Sequence, residues 1–352
     1  MSTLQDHIHL PTLKKMVQTN CDIADAMNAG NYTMCVYLLK MRELYRWESE
    51  SDFSETMENK SLGSWLRQRE LLWESLEQSD FEDIQIQTKT FHPFASSEIN
   101  QLINELDLVY SGGLGIMSKP HFFLAKLIET HQLDGYNIYI SGEEYARDLT
   151  SPPAMSQGNC IYVRRESIKR MMWERLEEWR WNQPQNAMAH AIRYYPFDTD
   201  LDGALDAITD NELNNVLLHE IGEIKAGQLL GPDWEKMLMA LPHSKSEMML
   251  RAVRDHLADA ITTLPELIRE NKPASIHFYF ANLASMRKHI YPTLVDAYFK
   301  WQKSNDTELL LSLSDKGKNY WLDIARSALS IFAKEKHAAP SKIEQLIETN
   351  IC

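Results

Sequence analysis

The sequence has few cysteines, no long apolar run and no excess of basic residues. The 36 Lys and Arg against 50 Asp and Glu give a formal charge of −14, which repels nucleic-acid phosphates. No apolar stretch approaches the roughly 20 residues that span a bilayer, and MSTLQDHIHL is unlike a secretory signal. We expect a cytoplasmic protein that binds neither nucleic acid nor membranes. A disulfide framework and a cysteine zinc site are not expected, because no CxxC pair joins the four cysteines, Cys21, Cys35, Cys160 and Cys352.

The rest of the composition is typical of a globular protein and favours helices. Of 352 residues, 44% are hydrophobic and 24% charged, and only 13 Gly and 13 Pro are present. The sequence predicts a mainly α fold with a small antiparallel β element near residues 136–165. We divide the chain into an N-terminal helical region (1–90), a mixed segment (91–165) and a helical domain that carries the candidate site (166–352).

The mixed segment contains the two clearest strand patterns. YNIYIS (136–141) and CIYVRR (160–165) alternate and are rich in Ile, Tyr and Val, so they predict a β-hairpin with a long connection. KPHFFLAKLIETHQL (119–133) is predicted to be a helix with Pro120 near its start.

The N-terminal region contains an acidic segment. Residues 48–83 hold eleven acids and three bases. A solvated surface explains this composition, and a docking face for a basic partner is the alternative.

The strongest site signal is an HExxE pattern on a predicted helix, NELNNVLLHEIGEIKAGQLLG (211–231). One face of this helix is apolar, whereas His219 and Glu223 share the opposite face and Glu220 lies between the two. The small and apolar residues around His219 predict burial on both sides. Buried His and Glu are costly unless they are paired or bound to metal.

A second predicted helix, SEMMLRAVRDHLADAITTLPEL (246–267), carries Asp255 and Asp259 opposite its apolar stripe. These acids are either a solvated face or face His219 across a helical hairpin. His190, in the upstream helix NAMAHAIRYYPF, is a third candidate ligand, although a single His of this kind is more often part of the core.

His190, then LLHEIGEI (217–224), then Asp255 or Asp259 resembles the order of ligands in the HD superfamily. Members of that superfamily are helical and bind one or two metal ions; most hydrolyse phosphate esters, and a few with two irons are oxygenases. Glu220 stands where the superfamily has Asp. The resemblance implies a ligand set of His190, His219, Glu220 and one of the two aspartates.

Two classes of function follow. The first is a metal-dependent enzyme, of hydrolase type or a di-iron oxygenase, that acts on a small-molecule substrate, with Glu223 as the proton acceptor. Its cofactor would be iron, manganese or zinc, held by His190, His219, Glu220, Glu223, Asp255 and Asp259. The second is a non-catalytic interaction or regulatory protein, in which Arg251 or Arg254 pairs with the glutamates in a buried network.

The Asp-rich segment DTDLDGALD (198–206) matches the first half of a calcium loop. Its twelfth position is Thr209 instead of a bidentate Glu. A turn that caps the following helix is the alternative to a calcium site.

Overall fold

The computed structural model describes residues 9–115, 119–241, 244–283, 285–335 and 338–352. The chain divides into two compact units. The N-terminal unit contains Met1–Arg175 and Phe197–Asp210, and the C-terminal unit contains Leu176–Pro196 and Asn211–Cys352. No helix in the described ranges is long and apolar enough to cross a membrane.

The N-terminal unit combines helices with two β-sheets. Its helices are α1 (Leu10–Asn28), α2 (Met34–Glu48), α3 (Asn59–Leu76) and α4 (Ser96–Ile103). Strands β1 (Ile84–Ile86) and β2 (Lys89–Phe91) form a two-stranded sheet. The larger sheet is built from β3 (Leu108–Leu114), β4 (Pro120–Leu133), β5 (Tyr136–Arg147), β6 (Ala154–Gln157) and β7 (Cys160–Arg164).

The larger sheet has the strand order β3-β4-β5-β7-β6 and curls into a half-barrel. Neighbouring strands are antiparallel except β5 and β7, which are parallel. Helix α1 packs on β4 and β5, so Val17 shares a buried core with Tyr110 and Phe122. Irregular pairing of β4 with β5 between Leu124 and Glu129 bends these two strands.

This sheet shows that the prediction of a mainly α fold with a small antiparallel element was wrong. Helices make up 66% of the residues, but the sheet has five strands and mixed pairing. The segment 119–133, predicted to be a helix, contains strand β4, which pairs on both sides. Its apolar run His121–Ala125 is buried on both faces, and such a run has no periodicity that separates a strand from a buried helix.

The two strands identified correctly do not form a hairpin. Strand β5 pairs with β7 in the parallel direction. Strand β6, which lies between them in the chain, pairs antiparallel with the other side of β7. The turn between β6 and β7 contains Gly158 with a φ of 56°, a left-handed conformation that glycine adopts without strain.

The C-terminal unit is helical. Helices α5 (Arg165–Asn182) and α7 (Leu201–Leu230) begin in the N-terminal unit and end in this one. Helix α9 contacts α10, α12, α14 and α15, and its residues Met249, Val253 and Leu257 are fully buried. The other helices are α6 (Ala187–Ile192), α8 (Pro232–Met239), α9 (Lys245–Ile261), α10 (Thr263–Glu270), α11 (Pro273–Asn282), α12 (Ser285–Ile290), α13 (Pro292–Ser304), α14 (Glu308–Glu335) and α15 (Ala339–Thr349).

Candidate functional site

Helices α7 and α9 approach closely beside the HExxE pattern. Gly222 packs against α9, and a Cβ atom built there would lie 2.5 Å from the carbonyl oxygen of Ala258. Thr262 follows α9 and donates a hydrogen bond from Oγ1 to the carbonyl of Leu218 at 2.7 Å. The close approach places the His219 face of α7 against the Asp259 face of α9.

We expect Gly222→Ala to lower the free energy of unfolding by about 1–3 kcal/mol, because the added methyl group overlaps backbone atoms of α9. Gly227→Ala on the same helix is the matched control. It adds the same methyl group where no atom lies within 4 Å, and should raise stability by up to about 1 kcal/mol. Urea unfolding followed by circular dichroism measures both. Equal effects at the two positions would contradict the close approach.

The centre of the site is a hydrogen-bonded pair of Asp259 and His219. His219 Nδ1 donates to Asp259 Oδ1 at 2.8 Å. Asp259 is fully buried, and its Oδ2 accepts hydrogen bonds from Tyr279, at 2.7 Å, and from the guanidinium of Arg287. Both carboxylate oxygens are therefore occupied, and the imidazole ring of His219 is fixed in orientation.

These contacts shift both pKa values. Burial alone would raise the pKa of Asp259, but Arg287 and His219 hold it well below its usual range. Burial alone would lower the pKa of His219, but the charge of Asp259 and its hydrogen bond raise it to about 9. At neutral pH the pair is thus an imidazolium and a carboxylate, and this His219 is a poor general base.

A second group of charges lies on the open side of His219. Arg254 Nη2 is 2.8 Å from Glu223 Oε1 and 3.6 Å from Asp255 Oδ1. His219 Nε2 is 3.7 Å from the same oxygen of Glu223. Burial, then the charge of Glu223, raises the pKa of Glu220 to about 7. Burial likewise raises the pKa of Asp255.

The structure thus brings together five of the six residues selected from the sequence. The exception is His190, whose ring stacks on His277, with centroids 5.1 Å apart, beside a cavity of about 470 Å³. His256, on the same helix as Asp255 and Asp259, is a core residue. It donates to the carbonyl of Arg287 at 3.0 Å and stacks on Trp321.

Sequence reasoning missed Arg287 and Tyr279. Arg287 lies on the short helix α12 and Tyr279 on α11, about 30 and 20 residues beyond Asp259. Neither segment has a motif that marks it as part of a site. The sequence contains one general indication of Arg287: a buried aspartate such as Asp259 requires a cation nearby.

The residues of the cluster do not fit a metal ion as they stand. Within the ranges that the structure covers, no group of three or more His, Cys, Asp or Glu side chains is arranged to hold a metal. Arg254 lies between the carboxylates of Glu223 and Asp255, and Asp259 has no free oxygen. A metal ion could enter only if Arg254 moved away.

The Asp-rich segment 198–206 caps a helix. Asp200 Oδ1 accepts the backbone N–H of Gly203 at 3.0 Å at the start of α7. Asp206 pairs with Arg165 and Lys169, and Asp210 pairs with Arg165. These ion pairs, all within the N-terminal unit, offset the charges of Asp206 and Asp210.

Two family models match the chain. The C-terminal domain of a family of unknown function, DUF6866, matches residues 169–350, and the N-terminal domain of the same family matches residues 12–164. No curated protein and no solved structure is significantly similar to the chain. The chain belongs to the DUF6866 family of unknown function.

Proposed function

We propose that the protein is a non-catalytic interaction or regulatory protein, and that the His219 cluster is an internal ion network that stabilises its C-terminal unit. The observation that carries the proposal is the position of Arg254. Its guanidinium lies where Glu223 and Asp255 converge. The HExxE pattern on α7 and the two aspartates Asp255 and Asp259 on α9 are then explained without a metal or a substrate.

The charges of the cluster support this interpretation. Arg254, Arg287 and protonated His219 are the cations. The carboxylates inside the cluster are Asp259, Glu223, Asp255 and Glu220, and the pKa of Glu220 near 7 leaves it partly uncharged. Glu235, 3.7 Å from Arg254, adds an exposed carboxylate that solvent screens. Inside the cluster the cations offset most of the negative charge, which supports a network without an external cation.

The test compares two basic residues of α9. In a network, Arg254→Met should lower the free energy of unfolding by about 1.5–3 kcal/mol, since it removes charged hydrogen bonds from a half-buried cluster. Arg251 is not part of the cluster, because it pairs with Glu247 within one helix turn. Lys245→Met is the control: Lys245 and its partner Glu348 are both exposed, so its loss should leave the free energy of unfolding close to the wild-type value. Urea unfolding measures both values.

Metal content, measured by mass spectrometry on protein purified without an affinity tag, completes the test. The proposal expects wild-type protein without a stoichiometric metal ion. Near-stoichiometric iron, manganese or zinc in wild type that falls in His219→Ala and Glu223→Ala would overturn it.

A metal-dependent hydrolase remains the second candidate, and one observation favours it. Asp259 orients His219 through Nδ1, as the carboxylate partners of metal-ligating histidines do, and leaves Nε2 beside Glu223. The similarity to the HD superfamily agrees with this candidate, whereas the position of His190 does not. In a hydrolase of this kind Arg254 would compete with the metal, so Arg254→Met should bind zinc or manganese more tightly than wild type. If the cluster is an internal ion network, the variant should bind these metals no more tightly than wild type.

A further inference from the structure

The N-terminal unit contains a cavity of about 590 Å³ that none of the sequence motifs indicated. Its wall is formed by α1, α2, α3, the end of β5 and the start of α5. The volume is typical of small-molecule sites. The lining residues on which the argument depends are Trp47, Phe53, Arg147, Glu166 and Arg170.

Arg147, at the end of β5, is a buried cation without an ion-pair partner. It is only 2% exposed, and no carboxylate of the described residues lies within 4 Å of it. One of its amino groups donates to the carbonyl of Glu43 at 3.0 Å, and its buried Nε has no acceptor. Burial, together with the nearby Arg170, lowers the pKa of Arg147 to about 10. The charges of Glu144 and Glu166 oppose this shift without reversing it, so the cation is compensated only in part and an anionic ligand would stabilise it further.

Arg170 adds a second cation to the same wall. It is 6% exposed and pairs with Glu174 at 2.7 Å. Its Nε is also buried without an acceptor. Its amino groups donate to Glu174 and to the carbonyls of Thr150 and Ser151. Two neighbouring guanidinium groups, each with an unused Nε–H, favour an oxyanion between them, because hydrogen bonds from a cation to a carboxylate or phosphate oxygen are strong.

Four of the seven acids in the wall are paired. Glu43 pairs with Arg46 at 3.2 Å, Asp22 and Glu48 both pair with Arg69, and Glu144 pairs with Arg164, which lies outside the cavity, at 2.8 Å. Glu50 and Glu143 are exposed, so solvent screens their charges.

Glu166 accepts the N–H of Glu144 at 2.6 Å, and burial raises its pKa to about 7. Its charge therefore opposes an anion only in part at neutral pH.

Aromatic rings complete the wall. The ring of Trp47 lies 5.1 Å from the guanidinium carbon of Arg147, and its indole N–H donates to the carbonyl of Glu144 at 3.1 Å. Phe53 lies in the same cavity. A ligand held by its oxyanion would thus have a fixed aromatic surface beside it.

We propose that this cavity binds a small organic anion, a carboxylate or a phosphate monoester, with its oxyanion on Arg147 and Arg170 and its apolar part against Trp47 and Phe53. The inference gives a ligand class to the interaction or regulatory role proposed above. It rests on residues of the other unit, so its failure would leave the stability and metal results on Arg254 unchanged.

Isothermal titration calorimetry on the full chain tests the proposal with three probes: benzoate, phenyl phosphate and neutral benzyl alcohol. We expect at least one anion to bind at least tenfold more tightly than benzyl alcohol. Tighter benzoate indicates a carboxylate ligand, and tighter phenyl phosphate indicates a phosphate. Failure of both anions to exceed benzyl alcohol would overturn the proposal.

Arg147→Met should weaken binding of the preferred anion at least tenfold. Arg165→Met is the matched control, since Arg165 belongs to the same unit but pairs with Asp206 and Asp210 outside the cavity. It should bind as wild type does. If Arg147→Met does not fold, Arg147→Lys keeps the charge without the planar donor pair and should show the same direction of loss. Unchanged affinity in a folded Arg147 variant would contradict the assignment.

Discussion

Replacing Asp259 by Asn should lower the free energy of unfolding by about 3–5 kcal/mol, the largest effect expected in the C-terminal unit. The side chain is fully buried and neutralises Arg287, whose own side chain is 12% exposed. Removing one partner of a buried ion pair leaves the other charge uncompensated in a medium that solvates it poorly. Urea unfolding followed by circular dichroism measures the loss.

Asp255→Asn is the matched control, because it makes the same change on the same helix at a side chain that is 25% exposed. It should cost about 1 kcal/mol or less. Adding Arg287→Met to Asp259→Asn removes the uncompensated cation and should recover part of the stability. A double variant no more stable than Asp259→Asn alone would contradict the network.

The pH dependence of the same variants reports on His219. The pKa of His219 is raised from 6.5 in the unfolded chain to about 9 in the folded protein. The stabilisation is complete below about pH 6.5 and is lost as the pH rises through about 9, so wild-type stability should fall over that range. The loss should not exceed about 3 kcal/mol, and partial exposure of the ring reduces it. In Asp259→Asn the fall should be much smaller.

The largest effect expected in the N-terminal unit is that of Glu144→Gln. Burial would raise the pKa of Glu144, but Arg164 and Arg147 hold it below its usual range. Arg164 and Glu144 are wholly shielded from solvent and 2.8 Å apart, and Ser167 donates to the same carboxylate oxygen at 2.7 Å. Loss of the charge should therefore cost about 3–5 kcal/mol, measured by urea unfolding.

Glu143→Gln provides the comparison at the neighbouring position of strand β5. Its side chain is exposed, so the same change should alter the free energy of unfolding by no more than about 0.5 kcal/mol. Equal effects at the two positions would mean that the pair of Glu144 and Arg164 does not contribute as its burial implies.

The site residues on α7 and α9 could be predicted because helical spacing is regular. His219 and Glu223 share a face through the i, i+4 relation, and so do Asp255 and Asp259. The spacing also indicated that the two faces could meet. It could not identify Arg287, because which cation compensates a buried aspartate depends on how distant helices pack.

The sheet was harder to predict, since its pairing is not encoded locally. Strand β4 has an apolar run followed by polar residues that resemble an amphipathic helix, and only its pairing with β3 and β5 makes it a strand. The alternation in 136–141 and 160–165 marks two strands correctly. It does not indicate whether the two strands run parallel or antiparallel. Strand β6 lies between them in the chain, and they pair in the parallel direction instead of forming the expected hairpin.

The interleaved path of the chain limits how the protein can be dissected. The segment Phe197–Asp210 belongs to the N-terminal unit although it follows residues of the C-terminal unit. A single cut after residue 175 therefore separates Arg165 and Lys169 from their partners Asp206 and Asp210. A version of the N-terminal unit made alone therefore has to include residues 197–210 as well as the residues up to 175.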